Sequence, residues 1–96
     1  MHVISKKALR QFWHDHADAE RPLRRWFKTV DDSQWTSFAD LRRTFSSADQ
    51  VGKFTVFNIG GNKYRLIAAI HFNRSKVYVR RVLTHKEYDE GDWKEE

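Results

Sequence analysis

An α+β domain is the fold class that three features of this chain predict. Apolar residues recur at helical spacing through the first half. They alternate singly through the second half, and a Gly60-Gly61 pair separates two β-rich runs there. Ninety-six residues can bury one modest core and not two. Residues 1–96 are therefore expected to form a single domain, with an acidic C-terminal tail at about residues 89–96.

Residues 2–5 suit a short first strand around the β-branched Val3 and Ile4, and Ser5 then stands where a helix N-cap belongs. Ala8, Leu9, Phe12 and Trp13 define one apolar helical face as far as about His16. A second helix starts between Asp18 and Arg21, with Leu23, Trp26, Phe27 and Val30 at i, i+3, i+4 and i+7. Pro22 must lie in its first turn, because deeper in a helix it would remove a hydrogen bond and clash with the preceding turn. Ser37-Phe38-Ala39-Asp40 resembles a capping box, opening a short third helix whose apolar side is Phe38, Leu41 and Phe45. Residues 46–50 read as a polar connection, and Gly52 marks a turn.

A two-residue loop at Gly60-Gly61 would set Ile59 opposite Asn62, Asn58 opposite Lys63, Phe57 opposite Tyr64 and Val56 opposite Arg65. Alternation then places Phe57, Ile59, Tyr64, Leu66, Ala68, Ile70 and Phe72 on the core face. Phe54, Val56, Asn58, Lys63, Arg65, Ile67, Ala69 and His71 take the other. After a turn at Asn73-Arg74-Ser75, the last strand matches Val77, Val79 and Leu83 to the core. That sends Tyr78, Arg80, Val82 and Thr84 to the Arg65 side. A bulge at Arg80-Arg81 would exchange the two arginines, so which of them faces the cleft stays open. The expected order is one strand, two helices, a short third helix and three antiparallel strands.

The chain has no cysteine, which excludes a disulfide framework, a thiolate metal site and a thiol nucleophile. Folding on burial alone suits a reducing cytoplasm. No apolar run approaches the ~20 residues needed to cross a bilayer, and the charged start does not read as a signal peptide. A cytoplasmic protein without a membrane partner is expected. Residues 1–86 hold seventeen Lys and Arg against seven Asp and Glu, a net of +10, whereas residues 87–96 hold one against six. A basic body concentrates polyanions, so nucleic acid is the first partner to consider; a merely solubilising surface is the plain alternative. The acidic tail either covers the basic surface or stays disordered.

VFNIGGNKYRLIAAIHF and VYVRRVLTHKEYD, with the opening HVISKKALRQFW and the Trp26-Phe27 pair, resemble the HigB-type toxins of bacterial toxin–antitoxin modules. These belong to the RelE/ParE superfamily of mRNA interferases, and the resemblance spans residues 1–89 or so. It implies a RelE/ParE-like α+β fold, with an N-terminal strand and two to three helices packed on one face of an antiparallel sheet. It also implies a ribosome-dependent endoribonuclease that cleaves translated mRNA by metal-independent attack of the 2′-hydroxyl, without a cofactor and with contacts to 16S rRNA. Neutralisation by a cognate HigA-type helix-turn-helix antitoxin goes with it. The tail containing Trp93 lies outside the resemblance.

Metal-free RNA cleavage needs a base for the 2′-hydroxyl, in-line geometry, charge stabilisation at the phosphate and a proton for the leaving 5′-oxygen. Arg65 is the leading candidate for the phosphate, being permanently charged, forked and, by parity, on the face away from the core. Arg80, or Arg81 if a bulge exchanges them, lies further along the same sheet. Asn58, Lys63 and Lys86 are candidates for holding the substrate. His85 supplies an imidazole, a group that suits either proton-transfer role, and one helical turn would bring Tyr88 beside it. Each has a plainer alternative: an ion pair for Arg65, a capping histidine, a packed tyrosine. His14 and His16 diverge on a helix and Asp18 lies past its end, so these read as a solvated terminus rather than a metal site. Trp13, Trp26 and Trp35, with Phe12 and Phe27, read as core or interface aromatics rather than a base-stacking platform. Two other classes compete with the ribonuclease: a ParE-like inhibitor of a protein such as DNA gyrase, and a plain RNA-binding module.

Overall fold

Local capping and long-range packing divide the work of fixing each element. The computed structural model describes residues 1–95. β1 (His2–Ile4) leads into α1 (Lys6–Asp15), and a 3-10 turn (Ala17–Ala19) joins it to α2 (Glu20–Asp31). α3 (Phe38–Thr44), β2 (Asp49–Val51), β3 (Phe54–Ile59), β4 (Tyr64–His71), β5 (Lys76–Thr84) and α4 (His85–Glu90) follow, with further 3-10 turns at Phe72–Arg74, between β4 and β5, and at Asp92–Glu95. Among the described residues five strands make one sheet in the order β1-β5-β4-β3-β2. The sheet is mixed rather than antiparallel throughout, because β1 joins β5 in parallel.

Ser5 stands at the N-cap of α1 but does not cap it through its hydroxyl. Its backbone is left-handed, and its carbonyl accepts from Ala8 N at 3.1 Å. α2 buries Leu23, Trp26 and Val30, with Pro22 in the first turn as its chemistry requires. At α3 the Ser37 hydroxyl accepts from Asp40 N, while the Asp40 carboxylate reaches back to the Thr36 N–H and hydroxyl. The cap is thus displaced one residue from a closed box. Those Thr36 bonds hold the Asp40 carboxyl below the usual carboxylate range.

β2 occupies part of the stretch expected to be only a connection. Asp49, Gln50 and Val51 pair with Val56, Thr55 and Phe54 across a turn at Gly52, whose φ is +59°. Its first two side chains are exposed, so the strand carries no apolar alternation; a short polar edge strand is one way sheets discourage edge-to-edge pairing.

The hairpin loop has four residues, 60–63, and not two. Ile59 pairs with Tyr64, Asn58 with Arg65, Phe57 with Leu66 and Val56 with Ile67. Every partner differs from the two-residue register by two positions, and a shift of two leaves each side chain on its expected face. Phe57, Ile59, Tyr64, Leu66 and Ala68 accordingly join the helices in the main core. Phe57 is 1% exposed and meets Trp26 and Phe45 edge to face, at 5.4 and 5.0 Å between ring centres.

β5 contains the bulge. Ile67 pairs with Arg81 and Ala68 with Val79, leaving Arg80 as the extra residue. Both arginines consequently belong to the Arg65 face: Arg80 by parity from Tyr78, Arg81 by its partner Ile67. The rest of the strand corrects the unbulged assignment. Leu83 pairs with Arg65 and lies on the Arg65 face, whereas Val82 and Thr84 pair with Leu66 and Tyr64 toward the helices. That face has a second, smaller core of Phe54, Val56, Ile67, Leu83 and Trp93, with Tyr88 packed on it. The open face is therefore only partly open.

Candidate active site

Three elements meet on the Arg65 face: the beginning of β4, the bulged end of β5 and α4. Thr84 ends the strand and begins the helix, its hydroxyl accepting from Glu87 N while the Glu87 carboxylate accepts from Thr84 N, a complete capping box. His85 N donates to the Lys63 carbonyl at 3.2 Å, tying the base of α4 to the hairpin loop. Gly91, at φ +80°, ends the helix in the left-handed conformation that glycine tolerates.

Arg65 is half-buried. Its Nη1 donates to the carbonyls of Asn62 and Tyr64 at 3.2 and 3.1 Å, and its guanidinium carbon lies 5.5 Å from the centre of the Tyr88 ring. The carbonyl bonds orient the fork through one nitrogen. A guanidinium also carries Nε and Nη2, the edge with which arginine grips phosphate. Arg81 stands on the neighbouring strand, the diagonal neighbour of Arg65 on the same face, roughly 7–8 Å away by sheet geometry. Arg80, in the bulge, is exposed beside it. Asn58, also exposed, is the direct cross-strand neighbour of Arg65.

His85 is exposed, and its Nδ1 lies 2.9 Å from Asp89 Oδ2 one turn along α4. This leaves Nε2 as the nitrogen turned to other partners. Lys86 is exposed on the same helix. The structure thus brings Arg65 and Tyr88 into contact, adds Asn58, Arg80 and Arg81 to their face, and sets His85 and Lys86 on the helix that carries Tyr88.

Lys63 is placed differently from its expected strand position opposite Asn58. It lies in the hairpin loop, with its ammonium 2.9 Å from Asp18 Oδ2. Asp18 also accepts from the Tyr64 hydroxyl. These two bonds, the Tyr64 hydroxyl first and the Lys63 ammonium second, hold the Asp18 carboxyl below the usual carboxylate range, and the same bond raises the Tyr64 phenol. A depressed carboxyl pKa contributes stability above its unfolded value and loses it as pH falls through the folded one. Asp18→Asn is therefore expected to lower the melting temperature most near pH ~6–7, with the gap to the parent closing below pH ~4. Thermal melts between pH ~3 and ~8 check this; a gap independent of pH would contradict it.

Asp18, Asp89 and Trp93 are contributors that pattern reading missed. The His85-to-Asp89 spacing of four residues was the available signal for one of them. Asp18 meets its partners across more than forty residues of chain. Trp93 belongs to no periodic run. His16, from the doubtful metal cluster, stacks on Phe12 at 4.2 Å instead. Trp26 and Trp35 are buried as expected, while Trp13 is half-exposed under the Arg24 guanidinium. No helix among the described residues is long and apolar enough to cross a membrane.

Residues 19–91 match the HigB_toxin family, described as the RelE-like toxic component of a toxin-antitoxin system. Over 92 residues the chain is 35% identical to the mRNA interferase toxin HigB of Escherichia coli K12, covering 93% of this chain and 88% of that protein. The mRNA interferase HigB of Shigella flexneri is similar to the same extent. The mRNA interferase HigB of Escherichia coli O6:H1 is 26% identical, covering 93% of this chain and 89% of its own.

Proposed function

Because the chain belongs to the HigB family of RelE-like toxins, we propose that it is an mRNA interferase, an endoribonuclease that cuts messenger RNA on the face shared by Arg65 and Tyr88. The observation that carries the site assignment is the Arg65 guanidinium held 5.5 Å from the Tyr88 ring, on a face that also receives Arg80 and Arg81.

The chemistry follows from these groups. The 2′-oxygen of the nucleotide before the cut attacks phosphorus as the bond to the 5′-oxygen breaks, giving a 2′,3′-cyclic phosphate and a free 5′-hydroxyl. Arg65 grips the phosphate oxygens and offsets the charge that builds on them, the contribution that fixed donors make most strongly. His85, held through Nδ1 by Asp89, exchanges a proton at Nε2 with the reacting oxygens. Tyr88 donates its hydroxyl to the phosphate or the leaving oxygen. Arg80, Arg81, Lys86 and Asn58 hold the neighbouring RNA; Lys63 acts through the loop that it ties to Asp18. The charge comes from arginine and needs no resident metal.

The substrate is mRNA on the ribosome, where 16S rRNA phosphates meet the basic helices and the decoding site presents the strand in line. A cognate helix-turn-helix antitoxin of the HigA type neutralises the toxin. The family's description as the toxic component of a toxin-antitoxin system supports an antitoxin partner, and the basic body suits a polyanionic RNA substrate.

Expression in bacteria with primer extension on abundant transcripts tests this reading. The parent should arrest growth and cut mRNAs within their reading frames, and co-expression of a neighbouring helix-turn-helix gene should restore growth. Folded Arg65→Ala and His85→Ala variants should be tolerated. If both remain as toxic as the parent, this face is not the site.

A further inference from the structure

The turn beyond α4 carries a side chain that the cleavage chemistry above does not use. Trp93 is 2% exposed, although Asp92 and Lys94 on either side of it are exposed. Its ring packs over Phe54, Val56, Ile67 and Leu83 on the site face of the sheet. Two further contacts converge on one residue. The indole stacks on the Tyr88 ring, 5.2 Å between centres and 15° between planes, and its Nε1 donates to the Tyr88 carbonyl at 3.0 Å. That carbonyl also accepts from Gly91 N at 3.1 Å. Tyr88 is thus held at ring and main chain by the same side chain. α4 has only six residues and cannot hold a ring in place by helical stability alone.

We propose that Trp93 is a positioning residue for cleavage: it fixes the Tyr88 ring beside Arg65 and so sets the geometry in which the phosphate is held. This rests on the assignment of cleavage to the Arg65–Tyr88 face. Filling the space over Phe54 and Leu83 asks only for bulk, which leucine or methionine supplies. The near-parallel ring and the N–H on Tyr88's own carbonyl constrain Tyr88 in particular.

The test measures kcat and KM for cleavage of ribosome-bound mRNA, with melting temperatures alongside. Trp93→Leu refills the apolar space without a ring; it should lower kcat by about 10–100-fold and leave KM within about twofold, as misplacing a reacting group does. Trp93→Phe keeps the stack and should stay within about fivefold of the parent. On a Tyr88→Leu background, Trp93→Leu should cause no further fall, because both changes act through one group. Should the leucine variant fail to fold, Trp93→Met replaces it with the same expectations. Equal activity of the leucine and phenylalanine variants would overturn the proposal, as would a Trp93→Leu loss that repeats in full without Tyr88. If Arg65→Ala and Tyr88→Leu are themselves as active as the parent, the site assignment fails first, a distinct result.

Discussion

Arg65→Ala is expected to lower mRNA cleavage by about 10²–10³-fold, the loss that follows removal of one preorganised donor from a developing oxyanion. The same variant should remain folded. Arg65 gives up two bonds to carbonyls at the edge of the hairpin loop and one ring contact, together about 1–3 kcal/mol. Its cross-strand partner Leu83 and the apolar cluster beneath are untouched. Arg65→Lys keeps the charge but loses the fork, so its activity should fall between the two. The measurement is the rate of cleavage on programmed ribosomes, read beside a thermal melt. A folded alanine variant with parental activity would remove Arg65 from the mechanism.

The largest expected effect on stability is that of Phe57→Ala. Phe57 sits mid-strand in β3 beneath the helices, fully buried, with Trp26 and Phe45 against it edge to face. Deleting such a ring costs about 3–5 kcal/mol in transfer free energy and residual cavity. Domains of this size have about 5–15 kcal/mol in total. The variant should therefore unfold at far lower urea concentration than the parent, or be unfolded already at 37 °C. An equilibrium urea titration at 25 °C checks it; a change below about 1 kcal/mol would mean that the cavity collapses or that the helices are held elsewhere.

Much of this arrangement was legible from periodicity because parity is robust. The hairpin loop proved longer by two residues, yet Arg65 stayed on its face and Phe57 on the other, since faces repeat every two positions. The cross-strand partners were not legible. Lys63 and Tyr64, where the loop meets β4, contact Asp18 from the helical half of the chain, and no local pattern encodes that contact. The bulge was visible as a conflict between two adjacent arginines in a strand. It was resolved by placing both on one face, which in turn moved Leu83 from the expected core to the second cluster. β2 was illegible because a polar edge strand buries almost nothing. Thr84, Glu87 and Gly91 give α4 clear local start and stop signals, but its packing against the sheet joins Tyr88 to a cluster that includes the distant Phe54 and the isolated Trp93. A lone aromatic in an acidic segment resembles a disordered tail until its packing partners are known. The last acidic residue of that tail, Glu96, lies outside the described residues.

One measurement bears most directly on the claim that the chain cuts mRNA through attack by the 2′-hydroxyl. Purified protein is incubated with ribosomes programmed with a short mRNA, carrying either ribose or 2′-deoxyribose at the nucleotide before the mapped cut. The ribose message should be cut to a fragment ending in a 2′,3′-cyclic phosphate and one beginning with a 5′-hydroxyl, whereas the deoxy message should stay intact at that position. Cleavage of the deoxy message at the same position and rate would contradict attack by the 2′-hydroxyl, and an uncut ribose message would contradict the ribonuclease itself.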